Sequence, residues 1–198
     1  MTKNILEIAK KYVNMLVGPL EDHYYHHYEH ALEVASRSVE IGKKEGYDEE
    51  TLEILELAGL FHDTGFIIQY DNNEYIGASI ARNFLKSMLY PEDKIKKIEE
   101  LIISTIPTNK AKNKLEGIIK DADTDNLGRD DFFEKGERLK NEIEKIKKIK
   151  ILDPDWYHYS LNFLLEHKFV TPSEIKERQN KKLQNIDKLS KIVKNKNK

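Results

Sequence analysis

Thr51-Leu-Glu-Ile-Leu-Glu-Leu-Ala-Gly-Leu-Phe61, followed at once by His62-Asp63, is the stretch that decides the fold. Leu52, Leu55 and Phe61 belong to the apolar set of a helix that Asp48 is positioned to cap. A buried, unpaired carboxylate carries a heavy desolvation cost, and a metal ion is one of the few partners that offsets it. The two polar residues are neighbours, so on a regular helix their side chains diverge by about a hundred degrees. They meet at one ion only if it sits beside the helix end, where Thr64-Gly65 lets the backbone turn away. The alternative has His62 capping its own helix and Asp63 starting the next turn. The pair by itself leaves both readings open.

Working outward, helical spacing dominates. Ile5, Ile8, Tyr12, Met15 and Leu16 repeat at helical intervals until Gly18-Pro19. The acids Glu21-Asp22 predict the start of a second helix that runs to Gly46. Phe66-Ile-Ile-Gln-Tyr70 reads as an ordered loop, and Asn72-Asn73 opens a helix carrying Ile76, Ile80, Phe84 and Leu85. Pro91 begins the next, which stops at Ile106-Pro107, and another spans about 110 to 125. Asp130 is expected to cap a long charged helix reaching Ile151. Asp153-Pro154 starts one holding Trp156, Tyr159, Phe163 and Leu164, and a last helix follows Thr171-Pro172-Ser173 and frays from Lys194. With no internal repeat and no long linker, the expectation is one all-α domain over residues 1–198.

Two further clusters flank the His-Asp pair. Upstream, Tyr25-His26-His27-Tyr28-Glu29-His30-Ala31 puts His26 and His30 at i and i+4, on one face of a helix, with Val34 continuing inward. His23 and His27 form a competing pair that periodicity cannot rank. Downstream, Ile118-Ile119-Lys120-Asp121-Ala122-Asp123-Thr124-Asp125-Asn126-Leu127 alternates aspartates after an apolar pair. It lacks the glycine and closing glutamate of an EF-hand, and reads as a cap cluster, a solvated face, or a buried face on which Asp123 needs a partner.

Composition removes other classes. The chain of 198 residues is 34% charged and 39% hydrophobic with net charge -2, so no global field draws it to nucleic acid or anionic membrane. It has no cysteine, which excludes disulfides, thiol catalysis and zinc-thiolate sites and is compatible with a reducing cytosol. Charges interrupt every apolar run near Met1, no stretch approaches a membrane span, and the expected location is cytoplasmic. A Walker-type phosphate loop is absent, which argues against a kinase or motor.

His30, His62-Asp63 and Asp123, in that order and at those separations, resemble the HD-domain superfamily of metal-dependent phosphohydrolases. The resemblance covers an HD core of about 20–130 and leaves a helical extension of about 131–198. It implies an HD-like helical bundle with His30, His62, Asp63 and Asp123 as metal ligands. The Asp-Ala-Asp segment is similar to the superfamily's Ala-Asp-x-Leu motif, which selects Asp123 over Asp121. Tyr25-His26-His27-Tyr28-Glu29-His30-Ala31 is also similar to the Tyr-His-Asn-x-x-His-Ala motif of cyclic-nucleotide phosphodiesterases, with His27 in place of the asparagine. That likeness implies His26 as proton donor to the leaving group and Asp63 as both ligand and orienter of the attacking water. Two-metal relatives carry further histidines between the His-Asp pair and the last aspartate. Here Ile103-Ser104-Thr105-Ile106 stands instead, so one divalent ion is expected, and oxygen and nitrogen ligands suit Mn, Mg, Fe, Co, Ni or Zn.

The resemblance predicts hydrolysis of a phosphoester in a small phosphorylated substrate such as a nucleotide; the alternative is a catalytically weak HD-fold nucleotide-binding or regulatory module. Glu74, Thr105, Arg178 and Lys181 are candidate substrate contacts, the last two as a basic pair three residues apart. Trp156, Tyr157, Tyr159 and Phe163 read first as a clamp packing the extension onto the bundle, and second as rings for a nucleobase. The run 135–150 reads as an exposed amphipathic helix suited to a homodimer contact.

Overall fold

The computed structural model describes residues 2–196, with side chains described for 5–195. Residues 197 and 198 of the expected frayed tail lie outside the described residues; before them the last helix runs unbroken past Lys194. The described residues form nine α-helices and no strand: α1 (Thr2–Val17), α2 (Tyr28–Lys44), α3 (Glu49–Phe61), α4 (Asn73–Ser87), α5 (Glu92–Ser104), α6 (Lys114–Asp123), α7 (Phe132–Lys147), α8 (Asp153–Glu166) and α9 (Pro172–Lys196). Two 3-10 turns, Thr64–Ile67 and Asp125–Gly128, follow α3 and α6.

The fold is built around α3, apolar on nearly every side and therefore central. Leu52, Ile54, Leu55, Leu57, Ala58, Leu60 and Phe61 are all buried, and Asp48 caps the helix by accepting from Thr51 N at 2.9 Å. It packs chiefly on α2, and also on α1 and α5. Gly59 sets the closest approach: a Cβ there would lie 2.7 Å from Ala35 Cα on α2. We expect Gly59→Ala to cost about 1–3 kcal/mol, because the helices must part to admit the methyl group. A lowered thermal midpoint in metal-free protein would show it; an unchanged midpoint would mean that the two helices slide freely. Gly65 plays the same part after α3, where a Cβ would meet Asn73 O at 1.9 Å, so the turn nests against the start of α4.

Several boundaries differ from the sequence expectation. The second helix starts at Tyr28, not near Glu21-Asp22. Residues 20–27 form turns because their amide groups find partners outside a helix: the N–H groups of Tyr25 and His26 donate to Glu142 at 2.8 and 2.9 Å. His27 then caps α2, its ring accepting from Glu29 N at 3.2 Å. The sixth helix begins at Lys114 behind the cap Asn113 and ends at Asp123. The seventh is capped at Asp131, because Asp130 pairs with Lys181, and it stops before Lys148, whose φ of 52° is left-handed.

The extension has its own apolar cluster of Leu127, Phe132, Leu164, Phe169 and Leu189. Buried polar ties join it to the helices around α3. Asp121 accepts from Val170 N, Thr171 N and Thr171 Oγ1 at 2.7–3.1 Å. Arg37 on α2 reaches Asp125 at 2.9 Å and Glu174 on α9 at 2.5 Å. Asp121 thus fastens the extension and is spent there.

Candidate metal centre

Three elements deliver four side chains to one point. His30 lies in the first turn of α2, His62 directly follows α3, Asp63 follows it, and Asp123 ends α6. The backbone explains how neighbours converge. His62 keeps helical angles (φ -53°, ψ -40°), whereas Asp63 leaves them for φ -101°, ψ 5°. Thr64 Oγ1 donates to Phe61 O at 2.7 Å and stabilises the break. His62 Nε2 then lies 2.9 Å from Asp63 Oδ2 and 3.4 Å from Asp123 Oδ1. His30 Nε2 lies 3.3 Å from Asp123 Oδ1 and 3.5 Å from Asp63 Oδ2.

The donor atoms fit a divalent cation. His30, His62 and Asp123 offer ligand atoms within 4.8 Å of one another. Neighbouring ligands around an ion with bonds of about 2.0–2.2 Å stand roughly 3 Å apart, the spacing seen here. His62 Nδ1 donates to Gly59 O at 2.8 Å, which fixes the tautomer and leaves Nε2 free as an electron-pair donor. His62 Nε2 and Asp63 Oδ2 are buried and have no partners beyond each other and the neighbouring ligand candidates, so costly atoms gather at one point. Burial would raise both aspartates, yet the adjoining imidazoles hold Asp63 and Asp123 below the usual carboxylate range. Burial pulls His30 down, whereas for His62 the Asp63 carboxylate outweighs burial and the ring is pushed well up. A metal must therefore displace a proton from His62.

His26 is not on the helix that carries His30, so the expected i,i+4 face does not exist; nor does that of His23 and His27. The turn nevertheless brings the rings of His26 and His30 to 5.8 Å. His23 packs instead on Phe66 and Tyr70. The partner of His26 is Glu142, from the helix expected to be exposed. Its carboxylate is wholly buried and accepts from His26 Nδ1 at 2.5 Å and from Tyr70 Oη at 3.0 Å, besides the two backbone N–H groups. Burial would raise Glu142, but these bonds, first that of His26, hold it down to about 2. Burial would likewise lower His26, but Glu142 keeps it raised. Glu142 was hidden in a run of Lys and Glu, and its one trace is that it falls on the stripe of Leu139, Ile143 and Ile146.

A chamber of about 470 Å³ opens from this centre, with His26 and Asp123 in its wall. Thr105 lines it, while its hydroxyl donates to Ile102 O at 2.7 Å. Glu74 is half-buried and does not line the chamber; burial first, then the fields of Asp63 and Asp123, raise its pKa. Arg178 and Lys181 do not reach the chamber: Arg178 is held by Asp125 at 2.5 Å and Lys181 by Asp130, each cation neutralised on the far side of the turn after α6. The lysines in the wall are Lys120, Lys135 and Lys168, none of which sequence reasoning singled out as a phosphate contact. Lys120 donates to Ser104 O and Ile106 O at 2.9 and 3.0 Å, and burial lowers its pKa. His167 also lines the chamber, taken down to about 4 by burial and by Lys182 and Lys120. Of the expected aromatic clamp, Trp156 is buried and Tyr157 packs against the cluster that holds Leu164 and Phe169, but Tyr159 and Phe163 stay open to the chamber.

Comparison with known proteins agrees with this fold. The Lin1889 protein of Listeria innocua is 22% identical, with a TM-score of 0.66 over 98% of both chains. Bacillus subtilis YpgQ, solved in complex with ADP, is 20% identical with a TM-score of 0.68, covering 98% of this chain and 97% of that one. Selenomethionyl YpgQ gives 19% and 0.67, over 98% and 96%. At these identities the likeness shows the fold. No curated protein matches the chain. Residues 27–126 match the HD domain, a span that holds all four ligand candidates and leaves out His26 and Glu142. By that match over half its length, the chain belongs to the HD domain family.

Proposed function

We propose that the protein is a metal-dependent phosphohydrolase that cleaves a phosphoester bond in a small nucleotide. The observation that carries the proposal is the convergence of His30, His62, Asp63 and Asp123 on one point, with His62 Nε2 and Asp63 Oδ2 buried and otherwise without hydrogen bonds. The nucleotide part draws support from the aromatic and cationic chamber beside that point, and from a bound ADP in the similarly folded YpgQ. The HD family belongs to the metal-dependent phosphohydrolases, and the ion, when bound, neutralises phosphoryl oxygens and acidifies water.

The chain's own groups supply the rest. His26 uses Nδ1 to donate to Glu142, is kept cationic by it, and lies in the chamber wall, where it can pass a proton to the departing oxygen. Asp63, anionic and buried among imidazoles, orients the attacking water as well as holding the ion. Lys120, held by two carbonyl oxygens, offsets phosphate charge; Lys135 lines the same wall but already pairs with Glu33.

The test is elemental analysis of the purified protein, then chelation and re-addition of Mn, Mg, Fe, Co, Ni or Zn, with phosphate and pyrophosphate release followed on linear and cyclic nucleotides. About one equivalent of metal and turnover that returns with it are expected. Bound metal with no turnover of any nucleotide would leave a binding module, and a protein that takes up no metal would sink the proposal.

A further inference from the structure

We propose that the space between α7 and α8 is a subsite for the planar heterocycle of the substrate, with Gly136, Trp156, Tyr159 and Phe163 as its walls. The proposal rests on the nucleotide phosphohydrolase reading and assigns recognition of the base to the extension.

Trp156, Tyr159 and Phe163 fall at i, i+3 and i+7 on α8 and share one face. Such an aromatic stripe normally packs against another helix. Here Trp156 is buried at 6% exposure, but Tyr159 is 59% and Phe163 38% exposed, and all three line the chamber. Tyr159 is not adrift. Its ring stacks on Trp156 with 5.7 Å between centroids and 29° between planes, so its other face is held ready at no further ordering cost.

Gly136 lies across from them, inside α7. Glycine in a helix interior is destabilising relative to alanine and usually marks a close backbone approach, as at Gly59. At Gly136 no approach exists: an added Cβ would meet nothing nearer than Trp156 Nε1, at 4.0 Å. Packing does not account for the missing side chain. The bare position keeps the chamber wall beside the stacked aromatic pair free of a side chain.

The other end of the chamber fixes which molecule fits. Asp123 and His26 stand in the same wall, and Lys135 precedes Gly136 directly. A ring seated on Tyr159 therefore has its phosphate end toward the cations and the metal ligands. The volume of about 470 Å³ suits a small ligand. A sugar phosphate without a base would leave the aromatic wall in water, so the class is a nucleoside phosphate held by stacking, which tolerates different bases.

Trp156 is the one tryptophan of the chain, so its emission reports on the subsite directly. The experiment titrates the metal-loaded protein with the four nucleoside 5'-monophosphates and with ribose 5-phosphate, which keeps sugar and phosphate but lacks the base. The nucleotides are expected to change the emission saturably and to bind at least about tenfold tighter than ribose 5-phosphate, which should leave the emission unchanged. Tyr159→Ala should weaken nucleotide binding roughly 5- to 100-fold without altering metal content. Gly136→Phe should erase the advantage over ribose 5-phosphate, whereas Gly136→Ala, whose methyl group makes only ordinary contact with Trp156 Nε1 at 4.0 Å, should keep it and serves as the folded control. Equal binding of nucleotides and ribose 5-phosphate, with silent emission, would overturn the subsite and leave the phosphohydrolase reading standing. Nucleotide-dependent emission in a protein that binds no metal and hydrolyses nothing would instead overturn the phosphohydrolase reading.

Discussion

His62→Ala is expected to strip the protein of stoichiometric metal and to lower nucleotide hydrolysis by about a thousandfold or more. The magnitude follows from several kcal/mol of charge stabilisation supplied by a bound ion, at 1.36 kcal/mol per factor of ten. His62 is the sharpest position to test because its Nδ1 is committed to Gly59 O and its Nε2 faces both aspartates. The same geometry predicts how metal binding depends on pH. Asp63 holds the His62 ring raised above its ordinary 6.5, and the ion competes with that proton. Affinity should therefore climb as pH rises through the raised value. In metal-free protein the sign is opposite. The His62 contribution to stability is full below 6.5 and fades as pH rises through the raised value. Those of Asp63 and Asp123 are full above 3.8 and fade on acidification. The His62 and aspartate contributions should thus both be full only between those two ordinary values, and metal should add most above 6.5. Calorimetric metal titrations across pH, with thermal melts of both forms, check this. Affinity independent of pH would rule out His62 as a ligand.

The second large effect belongs to Glu142→Gln. Glutamine can keep the shape of the buried contact with Tyr25, His26 and Tyr70 but removes the charge that keeps His26 protonated. Hydrolysis at neutral pH is expected to fall by about 10²–10⁴-fold, the scale of a positioned proton donor. The alkaline limb of the pH–rate profile should move to lower pH, since His26 loses the partner that raises it. A merely structural role would lower activity without moving that limb. The pair also sets a stability window. His26 contributes fully below its ordinary 6.5 and loses the contribution as pH rises through its raised value. Glu142 contributes fully above 4.5 and loses it as pH falls toward about 2. Losing charge-assisted hydrogen bonds at a wholly buried acceptor is destabilising, so the melt of Glu142→Gln should drop as well. Adding His26→Ala should cost little further activity if the two act as one unit. An additive double variant would separate them.

The candidate ligands His30, His62-Asp63 and Asp123 came from the resemblance to the HD superfamily; the all-α class and the break after α3 were legible along the chain. They rest on local chemistry: an apolar run cannot end in an acid and an imidazole without a partner, and the cap at Asp48 and the break at Thr64-Gly65 act within a few residues of themselves. The choice between Asp121 and Asp123 was not local. It turns on Val170 and Thr171, whose amide groups take Asp121 from about fifty residues away. The pair of His26 and Glu142 is likewise a meeting across 116 residues, and it ends the expected helix by claiming the amide groups that would have begun it. Arg178 and Lys181 read as phosphate ligands only while their carboxylate partners were out of sight. Helix type follows from residues near in sequence, whose geometry the backbone fixes. The proton donor's partner, the fate of each surface cation and the open chamber behind Gly136 depend on which helices meet, and only the tertiary structure decided that.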